Sequence, residues 1–228
     1  MLIDDYDYFL FDLDQTLLNF NKGSRKAIKE SCALFNIPYS LKFYNRYEKI
    51  NLKYWHMLEK GEVTQEELTF LRFKEFFEKE KMDTDPVKFN RTYMENLSCQ
   101  HYPMPYMRIT LKKLQEKGKK IYLVSNGVAF IQKRRLELSG LDKIFDDCFI
   151  SGIIGYSKPD KEYFDYVFDK LKISKEKTLL VGDSLNADIK GAVNYGIDSC
   201  WITKDNSVNN TNIRPTYRIN SLKGLWED

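Results

Sequence analysis

Five short runs of mostly apolar residues, each bounded by Asp, Ser or Gly, stand out along the chain: Tyr6 to Phe11, Lys120 to Val124, Asp147 to Ile150, Thr178 to Val181 and Ile197 to Ile202. Runs without strict alternation are expected of strands buried on both faces. Around the last four the apolar spacing turns helical, through Ile109, Leu111 and Leu114, then Phe130, Ile131 and Leu138, then Phe164, Val167, Phe168 and Leu171, then Ile189, Ala192 and Val193. Gly118, Gly140 and Gly196 stand where such helices would close. Strand and helix in alternation predict an α/β chain with a doubly wound parallel sheet.

The stretch between the first strand and the second breaks that rhythm. One strand–helix–strand unit needs only about 30 residues, and the interval here leaves roughly 80 more, which predicts an inserted all-helical subdomain. Ser24 is expected to open a helix carrying Ala27, Ile28, Ser31, Leu34 and Phe35, and Thr64 with Glu67 forms a capping box ahead of Leu68, Leu71 and Phe76. The expected boundaries are 1–17 and 103–228 for the α/β core and 18–102 for the insert. The Asn-rich stretch from Asp205 to Asn212 reads as a surface loop.

Composition narrows the functional classes. With 36 Lys and Arg against 33 Asp and Glu, a net charge of +3 gives no general attraction to nucleic acid or membrane surfaces, so an anionic partner has to be met locally. Cys32, Cys99, Cys148 and Cys200 form no CxxC pair, and His56 and His101 are too few to build a Cys/His zinc site. The first residues are acidic where a signal peptide would be basic, and no apolar run reaches membrane-spanning length; a cytoplasmic protein, monomeric or a weak homo-oligomer, is the expectation.

Candidate chemistry gathers at the predicted strand ends, where open α/β sheets place their ligands. Asp12 and Asp14 follow the first strand directly; two carboxylates this close repel unless a cation joins them, which points to a hard metal such as Mg²⁺. Ser125-Asn126-Gly127 ends the second strand with a hydroxyl and free amides suited to phosphate. Lys158 lies in a loop stiffened by Pro159, and Asp183 and Asp188 follow the fourth strand. Each alone has an ordinary reading, as a turn, a solvated lysine or a helix cap. Their joint order, acids, serine, lysine, acids, would bring them to one edge of a single sheet.

In that order the boxes resemble the haloacid dehalogenase-like hydrolases, with Asp12, Asp14 and Thr16 as the DxDxT box, Ser125 after the second strand, Lys158 beside a proline, and Asp183 and Asp188 as the GDxxxxD box. The insert resembles that family's first type of helical cap. Asn51 to Trp55, Glu59 to Thr64, Arg72-Phe73 and Gly196 to Trp201 are similar to the YjjG-type pyrimidine 5'-nucleotidases. Two positions depart from the pattern: Tyr106 replaces a customary Gly, and Gly152 a customary acid.

The resemblance implies a phosphatase acting on a small phosphate monoester such as a nucleoside monophosphate. Asp12 would be the nucleophile and Asp14 the general acid and base. Mg²⁺ would be held by Asp12, the Asp14 carbonyl and Asp183, with Asp188 behind them. Lys158 would neutralise charge, and Thr16, Ser125 and Asn126 would hold the phosphate. Phe20, Trp55 and Arg72 are the candidates for meeting the substrate's base. A sugar-phosphate phosphatase and a phosphomutase share these boxes. A dehalogenase has no need of Asp14, and a receiver-like phosphoprotein has no use for the insert.

Overall fold

The computed structural model describes residues 1–203 and 208–227. A single turn, α1 (Leu2–Asp5), leads into β1 (Tyr8–Phe11), and four consecutive helices follow, α2 (Phe20–Leu34), α3 (Leu41–Glu59), α4 (Gln65–Glu80) and α5 (Pro86–Ser98). The chain then alternates through α6 (Met107–Glu116), β2 (Lys120–Ser125), α7 (Ala129–Ser139), β3 (Asp147–Ile150), α8 (Ser151–Ile154), α9 (Lys161–Leu171), β4 (Thr178–Gly182), α10 (Lys190–Tyr195), β5 (Asp198–Ile202) and β6 (Tyr217–Ile219). Contacts divide it into two units, Met1–Asn19 with His101–Asp228, and Phe20–Gln100.

All strand pairings in the first unit are parallel, in the order β3-β2-β1-β4-β5-β6. Burial on both faces explains the near-continuous apolar strands. Phe9, Phe11, Ile121, Leu123, Leu179 and Val181 share one core with Met107, Leu111 and Leu114 of α6, while Leu10, Tyr122, Val124 and Leu180 share the other with Tyr163, Phe164 and Val167 of α9. Alternate residues of each strand thus feed opposite layers, and the sheet is doubly wound.

Several elements differ from the sequence expectation. β1 begins at Tyr8, because α1 occupies Leu2–Asp5 and Tyr6 closes it; the Tyr6 hydroxyl donates to Asp198 Oδ2 at 2.7 Å. A sixth strand, β6, is only three residues long, too short to show a period. In α6 the buried stripe runs through Met107, Thr110, Leu111 and Leu114, so Ile109 faces out of phase. In α7 Ile131 is buried as expected, but Phe130 and Leu138 are exposed, and Gln132 and Arg135 share the buried face with Ile131 and Leu136; Val193 of α10 is also exposed. The stretch from Asp205 to Asn212 falls partly outside the described residues, and 208–212 carry no helix or strand.

Tyr106, at the position where a glycine was expected, takes a left-handed φ of 64° and immediately precedes α6. Its ring lies edge-on to Trp226 at 6.5 Å, a contact that offsets part of the conformational cost.

The helical unit starts earlier than Ser24. α2 opens at Phe20, and Ser24 is buried inside it, its Oγ 3.0 Å from the Tyr93 hydroxyl. Starts of the later helices follow local chemistry: Ser40 caps α3, Thr64 and Glu67 form a complete capping box on α4, and Asp85 caps α5 with Pro86 in its first turn. The interior is aromatic, with Tyr47 stacked on Phe73 at 5.0 Å and Phe43, Phe76, Phe77, Phe89 and Tyr93 around them.

Candidate active site

Strand order reverses between β1 and β4, which leaves a crevice at their carboxyl ends. Phe11 pairs with Val181, and the Asp12 amide donates to the Val181 carbonyl at 2.9 Å, so Asp12 and Asp183 emerge from neighbouring strands at almost the same level. Beyond Asp12 the chain turns tightly: the Leu17 and Leu18 amides both donate to the Leu13 carbonyl, and Gln15 takes a left-handed φ of 60°. The turn buries Thr16 completely and leaves its hydroxyl without a hydrogen-bond partner among the described residues. An orphaned buried hydroxyl beside an anion crevice is what a bound phosphate would satisfy.

Lys158 is the hub. The residue is 1% exposed, and its ammonium donates to Asp12 Oδ1 at 2.8 Å, Asp188 Oδ1 at 2.7 Å and the Val124 carbonyl at 2.7 Å. Burial alone would depress its proton affinity, but Asp12 and Asp188 outweigh that and hold it charged, above the usual lysine range. Asp12 is pushed up to about 7 by burial, with Lys158 pulling it back and Asp188 and Asp14 pushing further. Asp188 Oδ2 accepts from the Ser184 amide at 3.1 Å, while Ser184 caps the turn Leu185–Ile189 through the Ala187 amide. Gly182 must be a glycine, because a Cβ there would lie 2.3 Å from the Asp188 carboxylate.

Asp12, Asp183 and Asp188 each offer an oxygen within 4.8 Å of the others. Lys158 bonds two of these acids and not Asp183, whose carboxylate makes no hydrogen bond or ion pair among the described residues. Burial first, then Asp12 and Asp188, push the Asp183 carboxyl well above its ordinary range. Three converging carboxylates with one ammonium leave a charge deficit, and an all-oxygen donor set fits a hard divalent cation. Trp201 of β5 fixes the loop from behind, its Nε1 donating to the Asp183 carbonyl at 2.8 Å.

Asp14 is held at both oxygens, by Arg135 Nη1 at 2.6 Å and Gln132 Nε2 at 2.8 Å. Gln132 Nε2 also donates to Ser125 Oγ at 2.9 Å. Asn126 does more than offer its backbone: its side chain donates to the Lys158 carbonyl at 2.7 Å and accepts from the Lys158 amide at 2.9 Å, which ties the lysine loop to the end of β2. The structure therefore gathers Asp12, Asp14, Thr16, Ser125, Asn126, Lys158, Asp183 and Asp188 at one sheet edge. Sequence reasoning missed Gln132 and Arg135. Their three-residue spacing on a helix was visible, but the apolar spacing of α7 pointed to another face.

The remaining candidates belong to the helical unit. Phe20 is the first residue of α2 and half-buried, and Trp55 on α3 is also half-buried. Arg72, expected as a donor to the base, is 3% exposed, with Nη1 on Asn51 Oδ1 at 3.0 Å and Nη2 on Asn90 Oδ1 at 3.3 Å, flanked by the Phe73 and Tyr93 rings. Its Nε alone lacks a partner among the described residues.

A doubly wound sheet with an acid cluster and a buried lysine at its switch point is the framework of an α/β enzyme. Comparison with known proteins identifies the family. Haloacid dehalogenase-like hydrolases match residues 6–196, and the chain belongs to that family as a hydrolase of phosphatase type. It is 36% identical to the HAD-hydrolase YfnB of Bacillus subtilis over 97% of this chain and 94% of that protein. Identity is 32% to the pyrimidine 5'-nucleotidase PynA of Streptococcus pneumoniae (97% and 94% covered) and 28% to the pyrimidine 5'-nucleotidase YjjG of Escherichia coli (96% of each). The crystal structure of YfnB bound to magnesium superposes with a TM-score of 0.91 at 35% identity, covering 97% of each chain. No helix among the described residues is long and apolar enough to cross a membrane.

Proposed function

We propose that this protein is a Mg²⁺-dependent 5'-nucleotidase that hydrolyses pyrimidine nucleoside monophosphates through an aspartyl-phosphate. The observation that carries the reading is the Asp12 carboxylate: Lys158 holds Oδ1 at 2.8 Å, while Oδ2 makes no hydrogen bond among the described residues. That oxygen would attack phosphorus, forming the acyl phosphate as the bond to the leaving oxygen breaks, and Asp14 would give that oxygen its proton. Water would then attack the same phosphorus, surrendering a proton to Asp14 and restoring Asp12 as inorganic phosphate departs. Asp12, Asp183 and the Asp14 carbonyl would hold Mg²⁺, with Asp188 behind them, and the ion would supply charge neutralisation between anionic nucleophile and anionic ester.

Thr16, Ser125 and the Asn126 amide would hold the phosphoryl oxygens. The base would be met by Phe20 and Trp55; Arg72, 3% exposed with its Nε buried, has no open face to offer it. The full-length likeness to two enzymes named pyrimidine 5'-nucleotidases supports this choice of substrate over a sugar phosphate.

Phosphate release with Mg²⁺ across nucleoside monophosphates, sugar phosphates and p-nitrophenyl phosphate tests it. Pyrimidine monophosphates are expected to give the highest kcat/KM. Stacking on an aromatic ring is worth about 1–3 kcal/mol per base, so Phe20→Ala or Trp55→Ala should raise KM for the nucleotide and not for the synthetic ester. A preference for hexose phosphates would leave the phosphatase and remove the nucleotidase. Turnover of a sugar bisphosphate without net phosphate release would identify a mutase.

A further inference from the structure

We infer that Gln132 and Arg135, neighbours on one face of α7, are positioning residues that aim the Asp14 carboxyl at the leaving oxygen and the Ser125 hydroxyl proton at the phosphoryl group. The inference rests on the reading of Asp14 as the proton donor. Arg135 Nη1 donates both to Asp14 Oδ1 at 2.6 Å and to Gln132 Oε1 at 2.8 Å. With Oε1 committed as an acceptor, the Gln132 amide has one orientation, which turns Nε2 to Asp14 Oδ2 at 2.8 Å and Ser125 Oγ at 2.9 Å. Ser125 Oγ accepts a second hydrogen bond from the Gly127 amide at 3.2 Å. A hydroxyl has two lone pairs and one proton. Donors occupy both lone pairs, so the proton is left to be given to an acceptor, and a phosphoryl oxygen is such an acceptor. Asp14, gripped at both oxygens by donors on one helix, is fixed in rotation about its terminal bond.

Two further observations separate this from ordinary packing. Gly127 leaves room for the amide: a Cβ there would lie 2.1 Å from Gln132 Nε2 and 2.4 Å from its Cδ. Gln132 and Arg135 are each 1% exposed, while Phe130 and Leu138 on the same helix are about half exposed. Burying a guanidinium is costly and an aliphatic side chain would fill the space more cheaply, so the polar pair is explained by what it holds.

The test measures kcat and KM for Arg135→Met, Gln132→Met and Asp14→Asn on the best alkyl phosphate of the substrate panel and on p-nitrophenyl phosphate, whose acidic leaving group hardly needs a proton donor. General acid catalysis contributes about 100-fold to 10,000-fold; loss of aim should forfeit part of that, so Arg135→Met is expected to lower kcat on the alkyl ester roughly 10-fold to 100-fold, with KM little changed and p-nitrophenyl phosphate nearly unaffected. Gln132→Met should show the same selectivity in kcat, but because the Ser125 proton is no longer directed at the phosphoryl group that both esters share with inorganic phosphate, it should also raise KM for both esters and weaken inhibition by inorganic phosphate several-fold. Equal losses on both esters in Arg135→Met, alongside a selective loss in Asp14→Asn, would overturn the inference and leave Asp14 in its role. If Arg135→Met does not fold, Gln132→Met decides, and an unchanged ester ratio with unchanged phosphate inhibition overturns it. Equal losses in Asp14→Asn itself would refute the proton-donor reading, and the inference with it.

Discussion

Replacing Lys158 by methionine removes the one ammonium that holds the acid cluster together, and its cost follows from the geometry. The side chain keeps nearly the same length and apolar bulk, so what is lost is two charge-assisted bonds, to Asp12 and Asp188, and a third to the Val124 carbonyl. Hydrogen bonds to charged groups contribute about 1.5–3 kcal/mol each, which puts the two carboxylate bonds at roughly 3–6 kcal/mol. Removing one partner of a buried ion pair costs about 3–5 kcal/mol by direct comparison. The two routes agree, and for a chain of this size ~3–5 kcal/mol corresponds to roughly 6–20 °C in Tm.

The loss should also grow with pH. Lys158 has its folded-state proton affinity raised, so its contribution is fully present below the ordinary lysine range and does not itself change between pH 5.5 and 8. In the variant Asp12, already at about 7 with the lysine in place, is pushed higher still and stays protonated further up the pH range. In both proteins the folded-state value lies above the unfolded one, so both lose stability as pH rises from the ordinary carboxylate range; the parent stops losing it near 7 and the variant does not, so the gap between them widens from about pH 7 to 8. Urea unfolding in EDTA at pH 5.5 and 8 is the assay. A variant within about 1 kcal/mol of the parent at pH 8, or a cost larger at pH 5.5 than at pH 8, would refute this account of the cluster.

Asp12→Asn is expected to abolish turnover with an unchanged circular dichroism spectrum, since the amide keeps the shape and still accepts from Lys158 but is a poor nucleophile. Burial pushes the Asp12 carboxyl up to about 7 and a metal would bind its ionised form, so if Asp12 is a ligand apparent Mg²⁺ affinity should rise from pH 6 to pH 8, measured by titration calorimetry; a flat profile would count against Asp12 as a ligand. Chelation should silence the enzyme reversibly, and Ca²⁺, with its larger and looser shell, should bind while supporting little turnover. Gly182→Ala should displace Asp188 from Lys158 and cost ~1–3 kcal/mol by overpacking, read from thermal melts.

The sheet was legible because its strands are buried on both faces and leave near-continuous apolar runs between turn residues. The gathering of polar groups at the strand ends then follows from register: Phe11 against Val181 and Leu123 makes Asp12, Asp183 and Ser125 neighbours in space. What was not legible is instructive about α7. Apolar periodicity assumes that the buried face is the apolar one, and here the buried face carries Gln132 and Arg135 because it serves polar groups at the crevice. β6 escaped because three residues carry no measurable period, and the start of α2 because Asn21, Lys22 and Gly23 look like a linker. Arg72 looked available in sequence; its burial among aromatic rings depends on packing between α3, α4 and α5 that no local pattern encodes.

The central claim is a phosphoryl group carried on Asp12, and acid quenching during turnover followed by borohydride reduction tests it most directly, because an acyl phosphate of aspartate is reduced to homoserine. Peptide mass spectrometry should find homoserine at position 12 alone, only when both Mg²⁺ and substrate were present. Substrate turnover without any reduced residue at position 12, or with the phosphate recovered on Asp14 or Asp183, would contradict the account.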